Sequence, residues 1–239
     1  VRLLTKRLVE VDLLDQAIEL LRHQVDNRLK GAARAQIAAD LSALYLMDRK
    51  PEQALRVLNV TRQASLPATL TRQRNIVEAR ALTAGGRPDL ALELVRNMRG
   101  TDVDRLRADT FWAAQSWREA GEQLEAMHGS RWSDSIALDE TERRDILKAG
   151  IAYSLASDQL SLNRLQTKYI TKMADSPEAL AFEVVTRPIE NQGVEFLEVA
   201  NRLADTDTLE TFMDEYRRQY MTPKSNGSQA AADAQTGNG

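Results

Sequence analysis

The chain has 239 residues, of which 43% are hydrophobic and 28% are charged, and its formal net charge at pH 7 is −3. This composition is typical of a folded globular protein and excludes a disordered or fibrous chain. The absence of cysteine excludes disulfides, thiolate catalysis and cysteine-ligated zinc. The few aromatic residues and few turn-formers argue against a β-sheet, and no apolar stretch is long enough to span a membrane.

Four segments of the chain share an alanine followed by apolar residues at helical spacing, which predicts an amphipathic helix in each. Twelve residues before the alanine stands a small residue, and nine residues before it stands a large apolar one. A small side chain that faces an alanine lets two helix axes approach closely, so the pattern predicts antiparallel helix pairs. The alanines are Ala17, Ala54, Ala91 and Ala120, the small residues are Thr5, Ser42, Ala79 and Ala108, and the large residues are Leu8, Tyr45, Leu82 and Phe111.

This register predicts where the helices of the four pairs lie. The first helices are expected over residues 1–10, 33–48, 69–84 and 104–115. Pro51 and Pro88 stand where two of the second helices begin, a position that proline favours. Residues 129–139 then interrupt the register, and we expect a loop there that is pinned by Trp132.

A fifth, divergent helix pair is predicted after this loop. Asp139 and Glu142 have the spacing of a capping box that starts its first helix. Within that helix Gly150 and Tyr153 repeat the small-to-large spacing. The second helix is expected over residues 159–173, with Leu162 in place of the alanine.

The repeat pattern does not continue into the C-terminal part of the chain. Ser176 and Pro177 begin a predicted helix that ends before Pro188. Two further helices are expected over residues 189–204 and 207–221, and the polar tail shows no apolar periodicity. The predicted division is repeats over 1–128, a loop and the divergent fifth pair over 129–174, a C-terminal helical cap over 175–221 and a disordered tail over 222–239.

The small and large positions, the turn and the acidic-x-Ala-apolar segment together resemble the tetratricopeptide repeat (TPR) family, whose repeat is a helix–turn–helix of about 34 residues. The resemblance covers about residues 1–128. Asn75 and Asp104 depart from it, because the family favours a bulky residue there. The resemblance implies an all-α fold: a right-handed α-solenoid of antiparallel helix pairs, a TPR-like superhelix, with a C-terminal helical cap.

In proteins of this family the first helices line a concave groove that holds a peptide or a partner helix. The resemblance therefore implies a partner-binding groove formed by Gln36, Ala39, Ala43, Met47, Gln73, Ile76, Arg80, Arg105, Asp109 and Trp112. The Lys and Asn pair with which some members clamp a terminal carboxylate is absent, so an apolar helix or an acidic segment is favoured. Phe111 is expected in the core, whereas Trp112 points to the concave side, either packed between repeats or anchoring a partner.

No set of residues in the chain indicates catalysis, a cofactor or a metal. His23 and His128 have no second ligand at metal spacing, and Gly85-Gly86 lacks the Lys-Ser/Thr of a phosphate loop. The acidic pairs stand mostly at helix starts, where they complement the helix dipole. Residues 60–107 hold nine arginines against five acidic residues, but the negative charge of the whole chain argues against nucleic-acid binding.

These observations predict a non-catalytic protein–protein interaction scaffold, part of a larger bacterial protein, that binds a peptide or helix of a partner. Two alternatives remain open. One is a self-assembly module that joins the basic residues 60–107 to the acidic residues 175–222 of another copy; the other is the helical accessory domain of an enzyme. The chain starts at Val1 and not at Met, so we expect a fragment or a processed chain, compatible with the cytoplasm and the periplasm alike.

Overall fold

The computed structural model describes residues 1–188 together with Gly193, Phe196 and Ala200. This part of the chain is all-helical and contains no strand, as the sequence predicts. Apart from those three positions, the helices predicted over 189–204 and 207–221 and the tail over 222–239 lie outside the described residues. No helix of the described part is long and apolar enough to span a membrane.

Eleven α-helices follow one another along the described residues. They are α1 (Arg2–Glu10), α2 (Leu14–His23), α3 (Gly31–Met47), α4 (Pro51–Val60), α5 (Ala68–Ala84), α6 (Pro88–Val95), α7 (Thr101–Ala113), α8 (Trp117–Met127), α9 (Glu140–Leu155), α10 (Gln159–Met173) and α11 (Ala179–Thr186). A π-helical turn over Gln24–Arg28 extends α2, which the sequence analysis did not anticipate. The other expected helix bounds agree with these to within three residues.

The same type of turn connects the two helices of each of the five pairs, from α1–α2 to α9–α10. Its central residue has a positive φ of 54° to 72°, and the second helix of the pair begins two residues later. The next N–H donates to the carbonyl five residues back, at 2.8 or 2.9 Å, as in a Schellman turn. That carbonyl belongs to the large residue of the register in all five pairs. The central residues are Asp12, Arg49, Gly86, Gln115 and Ser157.

The close helix contacts predicted from the small residues are confirmed. All four small residues and all four alanines are at most 2% exposed. The Ser42 hydroxyl donates to the carbonyl of Ala54 at 3.0 Å, so α3 and α4 touch at the expected positions. A Cβ added to Gly121 in α8 would lie 2.7 Å from the Tyr153 ring, which shows how closely α8 and α9 approach.

The core consists of three apolar clusters in chain order. The first lies mainly among α2, α3 and α4, the second among α5, α6 and α7, and the third among α8, α9, α10 and α11. Val77 of α5 also joins the first cluster, and Ala108 of α7 joins the third, so neighbouring clusters share a helix. Consecutive helices pack on each other, and α5 contacts both α3 and α7.

Two sequence expectations about aromatic residues are corrected. Phe111 is half-buried and lies outside the three apolar clusters, so it is not a core residue. Trp132 is 42% exposed and does not pin the loop after α8. Arg131 holds this loop instead, because its Nε lies 2.6 Å from Glu142 and its Nη2 donates to the Ala137 carbonyl at 2.8 Å.

The predicted capping box at the start of α9 is confirmed. The backbone N–H of Glu142 donates to the Asp139 carboxylate at 2.8 Å, and the N–H of Asp139 donates to the Glu142 carboxylate at the same distance. Glu142 therefore both caps α9 and binds Arg131. The Glu142 side chain therefore links the helix start to the loop before it.

Candidate partner-binding face

Polar side chains join each odd-numbered helix, from α1 to α7, to the next odd-numbered helix. We call this set the polar seam. It consists of Arg2, Gln36, Asp40, Gln73, Arg80, Arg105, Asp109 and Asp145. The bonded residues stand 29 to 40 positions apart in the sequence, so the seam is a product of helix stacking and not of local structure.

The first part of the polar seam connects α1, α3 and α5. Asp40 is 1% exposed, and its Oδ2 lies 2.7 Å from Nε of Arg2. Its Oδ1 accepts a hydrogen bond from the Gln73 amide at 3.1 Å, and Gln36 donates to the Gln73 amide oxygen at 2.7 Å. The Asp40 charge is therefore neutralised and hydrogen-bonded, as a buried carboxylate requires.

The second part of the polar seam connects α5 to α7 through a buried ion pair. Nη1 of Arg80 donates to Oδ2 of Asp109 at 2.8 Å, and both side chains are 7% exposed. The Thr83 and Thr110 hydroxyls lie 2.9 Å apart and join the same two helices. A buried pair of this kind fixes how two helices are aligned, because a shift would leave a charge unpaired.

The third part of the polar seam connects α7 to α9 around Asp145. Nη1 and Nη2 of Arg105 donate to the two carboxylate oxygens of Asp145, each at 2.5 Å. Nε2 of His128, which follows α8, lies 2.9 Å from the same carboxylate. Burial acts to raise the pKa of Asp145, but the hydrogen bonds from His128 and Arg105 hold that pKa below its ordinary value.

Trp112 and Lys148 lie next to this cluster. Nζ of Lys148 stands 4.6 Å from the Trp112 ring centroid, and the Trp112 ring meets the Trp117 ring edge-on, with centroids 5.3 Å apart. Burial lowers the pKa of Lys148, and the nearby carboxylates of Asp109 and Asp145 oppose that shift. Trp112 also packs against the third apolar cluster, which agrees with the packing role, and its role as an anchor for a partner stays a prediction.

A cleft of about 310 Å³ opens beside the polar seam, at the ends of α3, α5 and α7. The Arg80–Asp109 ion pair lines it, and Arg49 stands in its wall. Its apolar walls are formed by Leu46, Pro51, Ala84 and Ala113. An apolar surface next to an ion pair that is already neutralised suits an uncharged side chain, and the exposed Arg49 adds a positive charge at its edge.

The structure places the ten predicted groove residues in two groups. Gln36, Met47, Arg105 and Trp112 are half-buried. The other six are at most 8% exposed, namely Ala39, Ala43, Gln73, Ile76, Arg80 and Asp109. The polar members of the buried group hold neighbouring helices together, and of the ten residues only Arg80 and Asp109 line the cleft. Partner binding itself stays a prediction.

Three residues of the polar seam, Arg2, Asp40 and Asp145, were not predicted from the sequence, and neither was the neighbouring Lys148. Asp40 and Lys148 both stand two positions before the small residue of their helix pair. The equivalent residues of the other pairs, Leu3, Val77 and Leu106, are apolar. A charge at this otherwise apolar position was therefore a signal that could have revealed them.

No protein-family model, curated protein or solved structure matches the chain. The resemblance to the TPR family therefore stays a prediction. Within the described residues, no group of three or more His, Asp or Glu side chains is arranged to hold a metal ion. His23 bonds to Asn27 at 3.2 Å on the surface of α2, and His128 belongs to the Asp145 cluster.

Proposed function

We propose that this chain is a non-catalytic scaffold that binds a peptide or helix of a partner protein along the polar seam. The observation that carries the proposal is the cleft of about 310 Å³, which adjoins the Arg80–Asp109 pair and is otherwise largely apolar. Two of the ten predicted groove residues line it. Burial of an apolar side chain of the partner in this cleft supplies affinity, because apolar anchors in pockets dominate binding energies.

The proposal treats the five helix pairs as a right-handed α-solenoid of the TPR type. The turn shared by all five pairs supports it, because identical turns make each pair a similar structural unit. The contacts of α5 with both α3 and α7 also support it, since stacked pairs place their first helices side by side. In such a stack the odd-numbered helices form one continuous surface on which an extended partner lies.

The chemistry of the cleft defines the partner segment that fits. An apolar side chain enters between Leu46 and Ala113, and an acidic residue beside it meets the exposed guanidinium of Arg49. Arg105 is only partly available, because both of its terminal nitrogens already bind Asp145. The cleft therefore favours a segment with few charges, mainly negative, over a strongly acidic one.

The test compares the proteins captured by the full chain and by single-residue variants, with partner abundance measured by quantitative mass spectrometry. Arg49→Glu reverses the charge at the edge of the cleft without removing any hydrogen bond of the polar seam. Arg56→Glu on α4 makes the same change at an exposed position away from the cleft. We avoid Arg80→Glu, because it would place two buried carboxylates side by side and unfold the chain.

We expect at least one partner to be captured by the wild type and by Arg56→Glu, and to be depleted about tenfold or more with Arg49→Glu. Far-UV circular dichroism must show the same helix content for all three proteins. If every captured protein is retained by Arg49→Glu, or is lost equally with both variants, the cleft is not the binding site and the proposal is wrong.

A further inference from the structure

A second cleft, of about 490 Å³, opens on the other side of α7, between α6 and α8. Two half-buried apolar residues line it, Leu92 and Phe111. The rest of the lining is polar and consists of Arg96, Arg99, Arg107, Asp89, Glu93 and Gln123. We call this the Phe111 cleft. None of its lining residues belongs to the polar seam, so it is a separate surface.

Phe111 is only half-buried although its register predicts burial. The equivalent residues of neighbouring pairs, Tyr45, Leu82 and Tyr153, are at most 9% exposed. The alanine spacing falls from 37 to 29 residues between Ala91 and Ala120, so the irregular step of the repeat coincides with this cleft. An aromatic side chain left half-exposed in a concave site is typical of a position that a partner covers.

The charges around the Phe111 cleft leave Arg99 available. Nη1 of Arg96 lies 3.1 Å from Glu93, and Arg107 binds Asp104 and three backbone carbonyls. Arg99 donates only to the backbone carbonyl of Met98, at 3.2 Å, and no described carboxylate pairs with it. The cleft thus combines two apolar side chains with three guanidinium groups against two carboxylates. One of these guanidinium groups, Arg99, has no acidic partner among the described residues.

The complementary feature lies on α11 of the same chain. Leu180 is 77% exposed, although α11 buries Phe182 and Val185 on its other side. Glu183 follows three residues later, so it lies on the same side of the helix as Leu180. Its side chain is 64% exposed, and its ion pair with Arg187 is long, at 3.5 Å. Leu180 with Glu183 thus forms an apolar knob flanked by a negative charge.

We propose that Leu180 of one copy of this chain inserts into the Phe111 cleft of a second copy, and that Glu183 then pairs with Arg99. In the described structure Leu180 is exposed and the cleft is open, so both surfaces are available to a second copy. The knob and the cleft are different surfaces of the chain, so each contact joins unlike surfaces of two copies, and a reciprocal two-fold dimer is the smallest closed ring. Copies therefore add head to tail, into a ring or an open chain, through a surface that leaves the polar seam free.

The experiment is sedimentation velocity on the full 239-residue chain from about 1 to about 500 µM, at low and at high salt. We expect the average mass to rise above the 26.8 kDa of a monomer as concentration increases, and to rise less at high salt. Leu180→Asp and Arg99→Glu should each stay monomeric, because one blocks the knob and the other repels Glu183. The matched controls are Leu160→Asp, at an 83% exposed position of α10, and Arg56→Glu; both should associate like the wild type.

A mixture of the two blocked variants tests the head-to-tail geometry directly. The Leu180→Asp copy keeps its cleft and the Arg99→Glu copy keeps its knob, so an equimolar mixture should form a one-to-one dimer and nothing larger. A wild-type chain that stays monomeric at every concentration overturns the proposal. So does a wild type that associates while the mixture stays monomeric, or association that survives in both blocked variants. The capture experiment with Arg49→Glu is independent of these results.

Discussion

Arg80 and Asp109 form the most deeply buried arginine–carboxylate pair of the described residues, with both side chains 7% exposed. Replacing Arg80 by methionine keeps a similar apolar volume and removes the charge. Asp109 then loses the guanidinium that lies 2.8 Å from its Oδ2. Its carboxylate stays in a poorly hydrated place, so we expect α5 and α7 to separate more easily.

The size of the effect follows from burial. Breaking a buried ion pair by removing one partner costs about 3–5 kcal/mol, because an uncompensated charge is left inside the protein. The positive charge of Lys148 acts on Asp109 as well, which places the expected loss at the lower end, about 3 kcal/mol. Replacing both residues, as in Arg80→Met with Asp109→Leu, removes the unpaired charge and should return the chain to within about 1 kcal/mol of the wild type.

Urea unfolding followed by far-UV circular dichroism measures these free energies. Arg87→Met is the matched control, because Arg87 pairs with Glu52 at the surface, where the two side chains are 41% and 67% exposed. We expect the free energy of unfolding of Arg87→Met to fall by no more than about 1 kcal/mol. The reasoning is refuted if Arg80→Met costs as little as Arg87→Met, or if the double variant is as unstable as the two single changes added together.

Three further predictions concern the turn, the helix contacts and pH. Gln115→Gly should raise the free energy of unfolding, measured by urea titration, by about 0.5–1 kcal/mol. Gln115 has a φ of 55°, a conformation that costs any residue with a side chain about 1–2 kcal/mol. The control Gln115→Ala keeps that cost and should give no gain. Gly121→Ala should lower the melting temperature by several degrees, because the added methyl would lie 2.7 Å from the Tyr153 ring. An unchanged melting temperature would show that the ring moves aside at no cost. Asp145 has a folded pKa below its ordinary 3.8, so its ionised form stabilises the fold above about pH 4, and this contribution is lost on acidification. The free energy of unfolding of Asp145→Asn should therefore fall less between about pH 5 and about pH 2 than that of the wild type. Equal losses in the two proteins would contradict this assignment.

The sequence was sufficient to predict the helix pairs because their contacts depend on side-chain size at regular spacing. Ser42 and Ala54 meet where the register places them, and Pro51 and Pro88 start α4 and α6 as expected. The shared turn was only partly foreseeable. The turn between α5 and α6 has a glycine, Gly86, at its centre, which indicates a positive φ. The equivalent residue of the turn between α3 and α4 is Arg49, whose residue type gives no such indication. The Schellman hydrogen bonds impose that conformation from the neighbouring helix end.

The candidate binding face was harder to predict. The resemblance to the TPR family implied that Arg80 and Arg105 line a partner-binding groove, but both bind carboxylates on the next odd-numbered helix. Such pairs join residues about 30 to 40 positions apart, and single-sequence periodicity holds no information on which charges meet. Phe111 shows the same limit, because its burial depends on how well α6 and α8 close over it and not on its own position in α7.

Site-specific photocrosslinking tests the central claim most directly. A benzoylphenylalanine in place of the exposed Ala113 lies in the wall of the cleft beside the polar seam, and one in place of Gln53 on α4 is the exposed control. After irradiation in the cells that make the protein, our account predicts a covalent adduct with a second protein from position 113 and none from position 53. No adduct at position 113, or the same adducts at both positions, would contradict the claim that a partner binds at this face.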